Sequence, residues 1–390
     1  MEQVESFDVL IVGSGPSGTS TALHLLRQDR AWAERIAIVD KAVHPREKLC
    51  GGGITHMGQN VLARLGMTIE VPNFVVREAK IVYGDYSFSF KGNPVFRIVR
   101  RDEFDHWLVQ EVEERGVTVR QGEAVLDVST HDEYVEVKTS KSVIRAKVLV
   151  AADGSRSTIR SKLKWDDESR VARLLEILTP EDPREHVEFR DATAVFDFTP
   201  TDDGLQGYYW DFPSYVKGEA YMNRGVFDSR ARPERPKADL VGELRDSLAD
   251  RERNLDDYKL KGHPIRWFDK KGKFSEPRVL LVGDAAGADP LVGEGIAFAL
   301  AYGDVATTAI VDAFDRQDFS FADYRQRIID HNVLWQLPVR TRLARLAYRW
   351  GKHRIIASIG WRIVGFSTRF SRWRDPEQNP VEAPRLVYDS

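Results

Sequence analysis

Three stretches of the chain share one pattern. A short apolar run is followed by glycines and small polar residues, and then by apolar positions at helical spacing. The runs are FDVLIV (7–12), VLVAA (148–152) and VLLV (279–282). Each predicts a buried strand, a tight loop and a helix that packs back on the strand. Two other stretches alternate instead. YSFSFKGNPVF (86–96) and ATAVFDF (192–198) place apolar side chains at every second position, as half-buried strands of a separate sheet do. Between them and the third run, SRARPERPKADLVGELRDSLADRERN reads as a proline-rich charged linker and then an exposed helix.

The first loop carries chemistry. Gly13, Gly15 and Gly18 have the G-x-G-x-x-G spacing. The first allows a tight turn, the second lets a pyrophosphate approach the backbone, and the third lets helix pack on strand. Pro16 suits a first helical turn, where a backbone N–H has no partner in any case. The helix then offers its positive end to phosphates. A second strand, RIAIVDK, ends in Asp40, 22 residues after Gly18, where an acid accepts hydrogen bonds from a ribose. This motif predicts a dinucleotide and does not by itself separate FAD from NAD. The second run ends at Asp153-Gly154. The third ends at Gly283-Asp284, with Pro290, Gly293 and Gly295 opening a long apolar helix. Three dinucleotide domains do not fit in 390 residues, so the three loops predict one cofactor domain assembled from distant segments.

Composition narrows the partners. Hydrophobic residues make up 42% and charged residues 30%, as in ordinary globular proteins. The net charge of −3 and the lack of a recognition motif exclude a general nucleic-acid partner. One cysteine, Cys50, excludes an internal disulfide, a multi-cysteine metal site and an iron–sulfur module; no metal is expected. No secretory leader is read at the start, and no continuous apolar run spans a bilayer, so the expected location is cytoplasmic.

The order GSGPSG, ADGSRS, GDAAGADPLVGEGIAFAL resembles the flavoprotein fold of para-hydroxybenzoate hydroxylase and its relatives. That resemblance implies an α/β, Rossmann-type FAD-binding domain with an interleaved antiparallel-sheet substrate domain and a helical C-terminus. It implies that the first loop holds the FAD pyrophosphate, with Asp153 and Gly154 beside it. Asp284 would meet the ribitol, and Gly293 to Ile296 the pyrimidine edge of the flavin. A helix N-terminus there would stabilise negative charge on the reduced ring. Arg101, in RRDEFDHWL, matches the family arginine on the phosphate side. Ser17, Lys41, Ala124 and Val125 complete the implied contacts.

Within that fold, PREKLCGGG (45–53) is similar to the P-x-x-K-x-C-G-G-G segment of geranylgeranyl reductases, which saturate isoprenoid double bonds. Gly287 stands where many aromatic hydroxylases have His. Tyr208, Trp210, Phe212 and Pro213, followed by Gly225, are similar to the reductases' Y-x-W-x-F-P segment and glycine strand. Ser214 replaces the lysine that often follows, and the nearest lysine is Lys217. The resemblance implies hydride transfer from reduced flavin to an unactivated alkene of a hydrophobic or prenyl-lipid substrate. NAD(P)H or a ferredoxin-type protein would be the electron donor. Isolated alkenes accept hydride poorly, so close positioning and a well-placed acid are required. Cys50 is the candidate acid, or a residue that packs at the flavin edge while water or a tyrosine gives the proton. Gly51 and Gly52 would let backbone lie against a planar ring. Lys48 would balance charge near the flavin, or be a solvated lysine. Tyr208 and Trp210 would line the substrate tunnel, or be sheet core. The rival is a monooxygenase or halogenase, although Tyr208 stands where the halogenases' W-x-W-x-I-P has its first tryptophan.

The expected FAD domain comprises 1–75, 97–165 and 270–330, the substrate domain 76–96 and 166–269, and a C-terminal segment 331–390. That segment has no acid between Asp330 and Asp375 but ten Lys or Arg and four tryptophans: Trp335, Trp350, Trp361 and Trp373. It suits a membrane surface, or a helical pair with a solvated basic face.

Overall fold

The computed structural model describes residues 4–165, 170–349 and 354–368; Trp350 and Trp373 lie outside them. The chain opens with β1 (Val4–Val12), α1 (Pro16–Gln28) and β2 (Ile36–Asp40). Next come β3 (Gly53–Thr55), α2 (His56–Arg64) and a long hairpin of β4 (Asn73–Tyr83) and β5 (Tyr86–Val99). Helix α3 (Arg101–Glu114) leads to β6 (Thr118–Gln121), β7 (Val125–Thr130), β8 (Val135–Thr139) and β9 (Val143–Ala151). After α4 (Thr158–Lys162) follow β10 (Val171–Pro180), α5 (Val187–Arg190), β11 (Thr193–Asp197), β12 (Gly207–Val216), β13 (Glu219–Asp228), α6 (Leu240–Ala249) and β14 (Lys261–Arg266). The chain continues through β15 (Ser275–Glu276), β16 (Val279–Leu281), α7 (Ile296–Arg316), α8 (Tyr324–Asp330), α9 (Gln336–Ala347) and α10 (Arg354–Thr368).

These strands form two eight-stranded sheets. The first runs β15-β16-β9-β1-β2-β6, with the β7/β8 hairpin attached through β8 to β9. β1 pairs in parallel with β2 and β9, and β16 in parallel with β9. All three apolar runs therefore end at the same edge of one sheet, the place where open α/β sheets bind ligands. The second sheet runs β14-β10-β13-β12-β11-β4-β5-β3 and is antiparallel except where β11 meets β4. The two alternating stretches are β5 and β11 of this sheet. β3, which begins at the last glycine of CGGG, pairs with β5 through Ile54 and Arg97, which ties the cysteine segment to the second sheet.

Small residues bring α7 onto α1. A Cβ at Gly303 would lie 2.5 Å from the Ser20 hydroxyl, and Ser20 donates to the Leu300 carbonyl at 2.7 Å. The two helices that follow the first and third loops are thereby locked side by side. Helix α7 meets the length and composition of a membrane span, which a search for continuous apolar runs misses because polar residues interrupt it. Its apolar window is 72% buried inside the protein, so it is a core helix. At the C-terminus, α10 seats Trp361 on Phe198, with ring centroids 4.5 Å apart, at the end of the second sheet.

Candidate active site

A cavity of about 670 Å³ lies between the sheets and receives residues from all three loops, the CGGG segment and both alternating stretches. Its loop side is shaped by backbone. Gly13 has φ +106°, and a Cβ there would come within 2.4 Å of the Ala152 carbonyl oxygen. A Cβ at Gly18 would lie 2.0 Å from the Gly13 oxygen, and one at Gly283 2.5 Å from the Ser17 hydroxyl. Gly18 and Gly283 thus serve packing beneath the cavity and do not line it, and Pro290 is likewise outside the lining. Gly13, Gly15, Pro16, Ser17, Asp40, Lys41, Lys48, Cys50, Gly51, Gly52, Arg101, Ala124, Val125, Asp153, Gly154, Asp284, Gly293, Gly295, Ile296, Tyr208 and Trp210 all line it.

The Asp40 carboxylate accepts from the Ser14 N–H and hydroxyl, both at 2.7 Å, and from the Ala42 N–H at 2.8 Å. Burial opposes its ionisation, but these donors outweigh burial and hold its pKa below the usual carboxylate value. A carboxylate has about four acceptor positions, so Asp40 retains capacity for a ligand hydroxyl. Arg101 is buried and makes a two-pronged pair with Asp105, at 2.7 and 2.8 Å. Burial alone would lower its pKa; the Asp105 carboxylate reverses this and keeps the guanidinium charged. Arg46 also reaches Asp105, at 3.1 Å. Asp284 accepts from Ser155 at 3.0 Å.

The other side is made of side chains. Phe96, Phe196, Tyr208, Trp210, Phe212 and Phe227 line the cavity from the second sheet. Tyr208 donates its hydroxyl to the Val292 carbonyl at 2.6 Å, which commits its proton and fixes the ring against the Gly293 loop. Trp210 has room because residue 225 is glycine: a Cβ there would lie 2.3 Å from the indole. The indole N–H donates to Asn223 Oδ1 at 2.9 Å. Asn223 Nδ2 donates to the Cys50 carbonyl at 3.1 Å and to Glu176 at 3.3 Å. Burial pushes the Glu176 pKa up to about 7, although Arg100 lies 3.6 Å away.

The CGGG segment spans the two sides. A Cβ at Gly51 would lie 3.0 Å from the Phe212 ring. Gly52 has φ +77°, and a Cβ there would lie 2.1 Å from the Val99 oxygen. Packing against β5 therefore already requires glycine at 52, and packing against β12 leaves a tight fit for any side chain at 51, before any ligand does. Gly52 N–H points to Cys50 Sγ at 3.4 Å, and the half-buried thiol is close enough to Arg101 and Lys48 to interact with both. Lys48 hydrogen-bonds His263 Nε2, and burial lowers its pKa to about 8. His263 is held neutral, first by burial and then by the lysine's charge.

Four residues here were not legible in the sequence: Asn223, Glu176, His263 and Arg340. Arg340, from α9, spans Asp289 and Glu294 at 3.0 and 2.9 Å, and Thr55 also donates to Glu294 at 2.6 Å. The C-terminal segment thereby braces the loop that opens α7. None of the four sits in a motif, because each works through a partner distant in sequence. Among the described residues there is no cluster of His, Cys, Asp and Glu suited to a metal.

The residues fit FAD. Gly13 and Gly15 leave a bare backbone cradle before α1, and half-buried Asp153 has one buried oxygen, Oδ1, with no hydrogen-bond partner among the described atoms. The strand-end acids and the N-terminus of α7 converge on the same cavity.

Comparison with known proteins agrees. The model of the FAD binding domain family matches residues 6–302. The chain is 30% identical over 330 residues to a menaquinone reductase of Mycolicibacterium smegmatis, covering 77% of this chain and 75% of that one. It is 26% identical over 341 residues to a digeranylgeranylglycerophospholipid reductase of Thermoplasma volcanium, with 81% of each chain covered. The fold superposes on a geranylgeranyl bacteriochlorophyll reductase-like protein from Thermoplasma acidophilum with TM-score 0.73, at 21% identity, over 90% of this chain and 89% of that one. The chain belongs to the FAD binding domain family and is an FAD-dependent oxidoreductase.

Proposed function

We propose that this oxidoreductase saturates carbon–carbon double bonds in the prenyl chain of a lipid or quinone. The observation that carries the reading is the aromatic wall of Phe96, Phe196, Tyr208, Trp210, Phe212 and Phe227, which shares one cavity with the FAD loops. Such a wall offers a prenyl chain apolar contact and no hydrogen bond that the chain cannot return. The names of the two reductases above support the same substrate class.

Gly13 to Ser17, Asp40, Arg101, Asp153, Asp284 and Gly293 to Ile296 would hold the cofactor. Reduced FAD supplies two electrons as hydride; NAD(P)H or a ferredoxin-type protein would restore them. The remaining work is the chain's. The aromatic wall excludes water and holds the alkene in one orientation. One alkene carbon gains the hydride and the other a proton, so the π bond is lost and two C–H bonds form. Tyr208 is a poor proton source because its hydroxyl is committed to Val292. Cys50 Sγ is the better one, with Arg101 close by to balance the negative charge left on sulfur.

The test uses FAD-loaded protein reduced chemically without oxygen and mixed with menaquinone or a geranylgeranyl lipid. A product heavier by two hydrogens per bond is expected. An unchanged substrate, or a product heavier by one oxygen when air is admitted, overturns the reading. For Cys50→Ala we expect normal FAD content and single-turnover reduction slowed by about 100-fold, the usual scale of a lost general acid. An unchanged rate removes the thiol from the chemistry.

A further inference from the structure

Charge is unevenly distributed along this chain. Ten of its 57 Lys and Arg fall between residues 331 and 374, where there is no Asp or Glu, so the rest carries 47 basic residues against 60 acidic ones. The helices of this basic segment also present apolar side chains outward. Trp335, Val339, Leu343 and Leu346 are exposed along α9 and the residue before it. Ile355, Ile359 and Ile363 are exposed along α10, Ile355 at 77% and Ile363 at 63%. Both sets recur about every fourth residue, so each forms a stripe along one helix face. Arg342 follows Trp335 by seven residues and Arg362 follows Ile355 by seven, which puts an exposed arginine beside each stripe.

Helix α10 is apolar on its inner face as well. Ala357 and Trp361 pack into the second-sheet core, and a Cβ at Gly365 would lie 2.2 Å from the Tyr86 hydroxyl. A helix with an inward apolar face normally turns polar residues to water. This one turns isoleucines outward, and among the described residues nothing covers them.

A second copy of the chain is a poor occupant. Two-fold pairing through this face would bring two copies of the same acid-free basic segment together. A surface that is negatively charged at its border and apolar within complements both the arginines and the isoleucines. We propose that α10 and the outer face of α9 dock the enzyme on an anionic lipid bilayer. Beneath α10 an aromatic seam leads inward. Trp361 lies 4.5 Å from Phe198, and Phe198 5.2 Å from Tyr208, which lines the cavity. A prenyl chain entering from the bilayer would have to part these packed rings to reach the cavity; this second half rests on the reductase reading above.

The FAD-loaded full chain is floated with vesicles of phosphatidylcholine alone, or of phosphatidylcholine with phosphatidylglycerol. Binding to the anionic vesicles is expected, weakened by high salt. Ile359→Glu/Ile363→Glu is expected to lower the bound fraction about tenfold, and Arg342→Glu/Arg362→Glu to remove the preference for anionic lipid. FAD content and melting temperature, unchanged in both, show that the variants fold. No binding to either vesicle, equal binding to both, or a dimer in gel filtration that the isoleucine variant dissociates would each overturn docking. Vesicle binding with no prenyl saturation leaves docking intact and removes the reductase reading. Saturation of detergent-dispersed substrate without vesicle binding does the reverse.

Discussion

Gly13 and Trp210 line the same cavity, yet different forces hold them. Gly13 owes its place to backbone: a strand end, a positive φ and the Ala152 carbonyl 2.4 Å from where a side chain would begin. Trp210 owes its place to a relay of side chains, its indole held by Asn223, which also holds the Cys50 carbonyl and Glu176. The loop side is decided by backbone, by the local turn and by the neighbouring strand end at Ala152, and Gly13 tolerates no added atom. The aromatic side is decided by partners from β10, β13 and the CGGG segment, and it is adjustable and sensitive to protonation.

The largest expected effect is on the loop side. Gly13→Ala puts a methyl into the Ala152 carbonyl at an unfavourable φ, and we expect a loss of about 4 kcal/mol or more together with FAD binding. Retained FAD absorbance and an unchanged melting temperature would break the contrast. Arg340→Met asks whether the loop side is self-sufficient. It leaves Asp289 and Glu294 buried without their cation, at an expected cost of about 3 kcal/mol. FAD should dissociate faster, measured by fluorescence of released flavin; unchanged release would mean that the loop needs no brace from α9.

On the aromatic side, Asn223→Leu removes three hydrogen bonds and strands buried partners, and about 2 kcal/mol of stability should go. FAD content should persist while the tryptophan emission shifts. Loss of FAD instead would show that the two sides are not separable. The smallest effect is in pH dependence. Burial raises the Glu176 pKa from 4.5 to about 7, so the folded state binds the proton more tightly than the unfolded one. Stability from this group is therefore present below pH 4.5 and declines as pH rises towards 7. Glu176→Gln should flatten that part of the melting-temperature profile; an unaltered slope removes Glu176 as its source.

The same division separates the residues that are legible in the sequence from those that are not. The glycine spacings, Asp40 and the strand-end acids lie within motifs, where chain geometry is local and one residue type fits. Gly51 and Gly52 are legible as important, but for a different reason. Their bareness answers first to Phe212 and to the Val99 backbone, and these contacts arise only once β5 and β12 come together. Gly18 and Gly283 belong to the motifs yet serve packing beneath the cavity.

By itself the sequence determined the parallel FAD sheet, its three loops and the alternating strands of the second sheet, because apolar periodicity and glycine spacing are properties of short segments. Only the tertiary structure decided that Asn223 joins Cys50 to Trp210, that His263 faces Lys48, and that Arg340 braces the Gly293 loop. Those pairings depend on side chains far apart in the chain meeting in a low-dielectric interior. There a buried polar group must find a partner, and nothing local in the sequence names it.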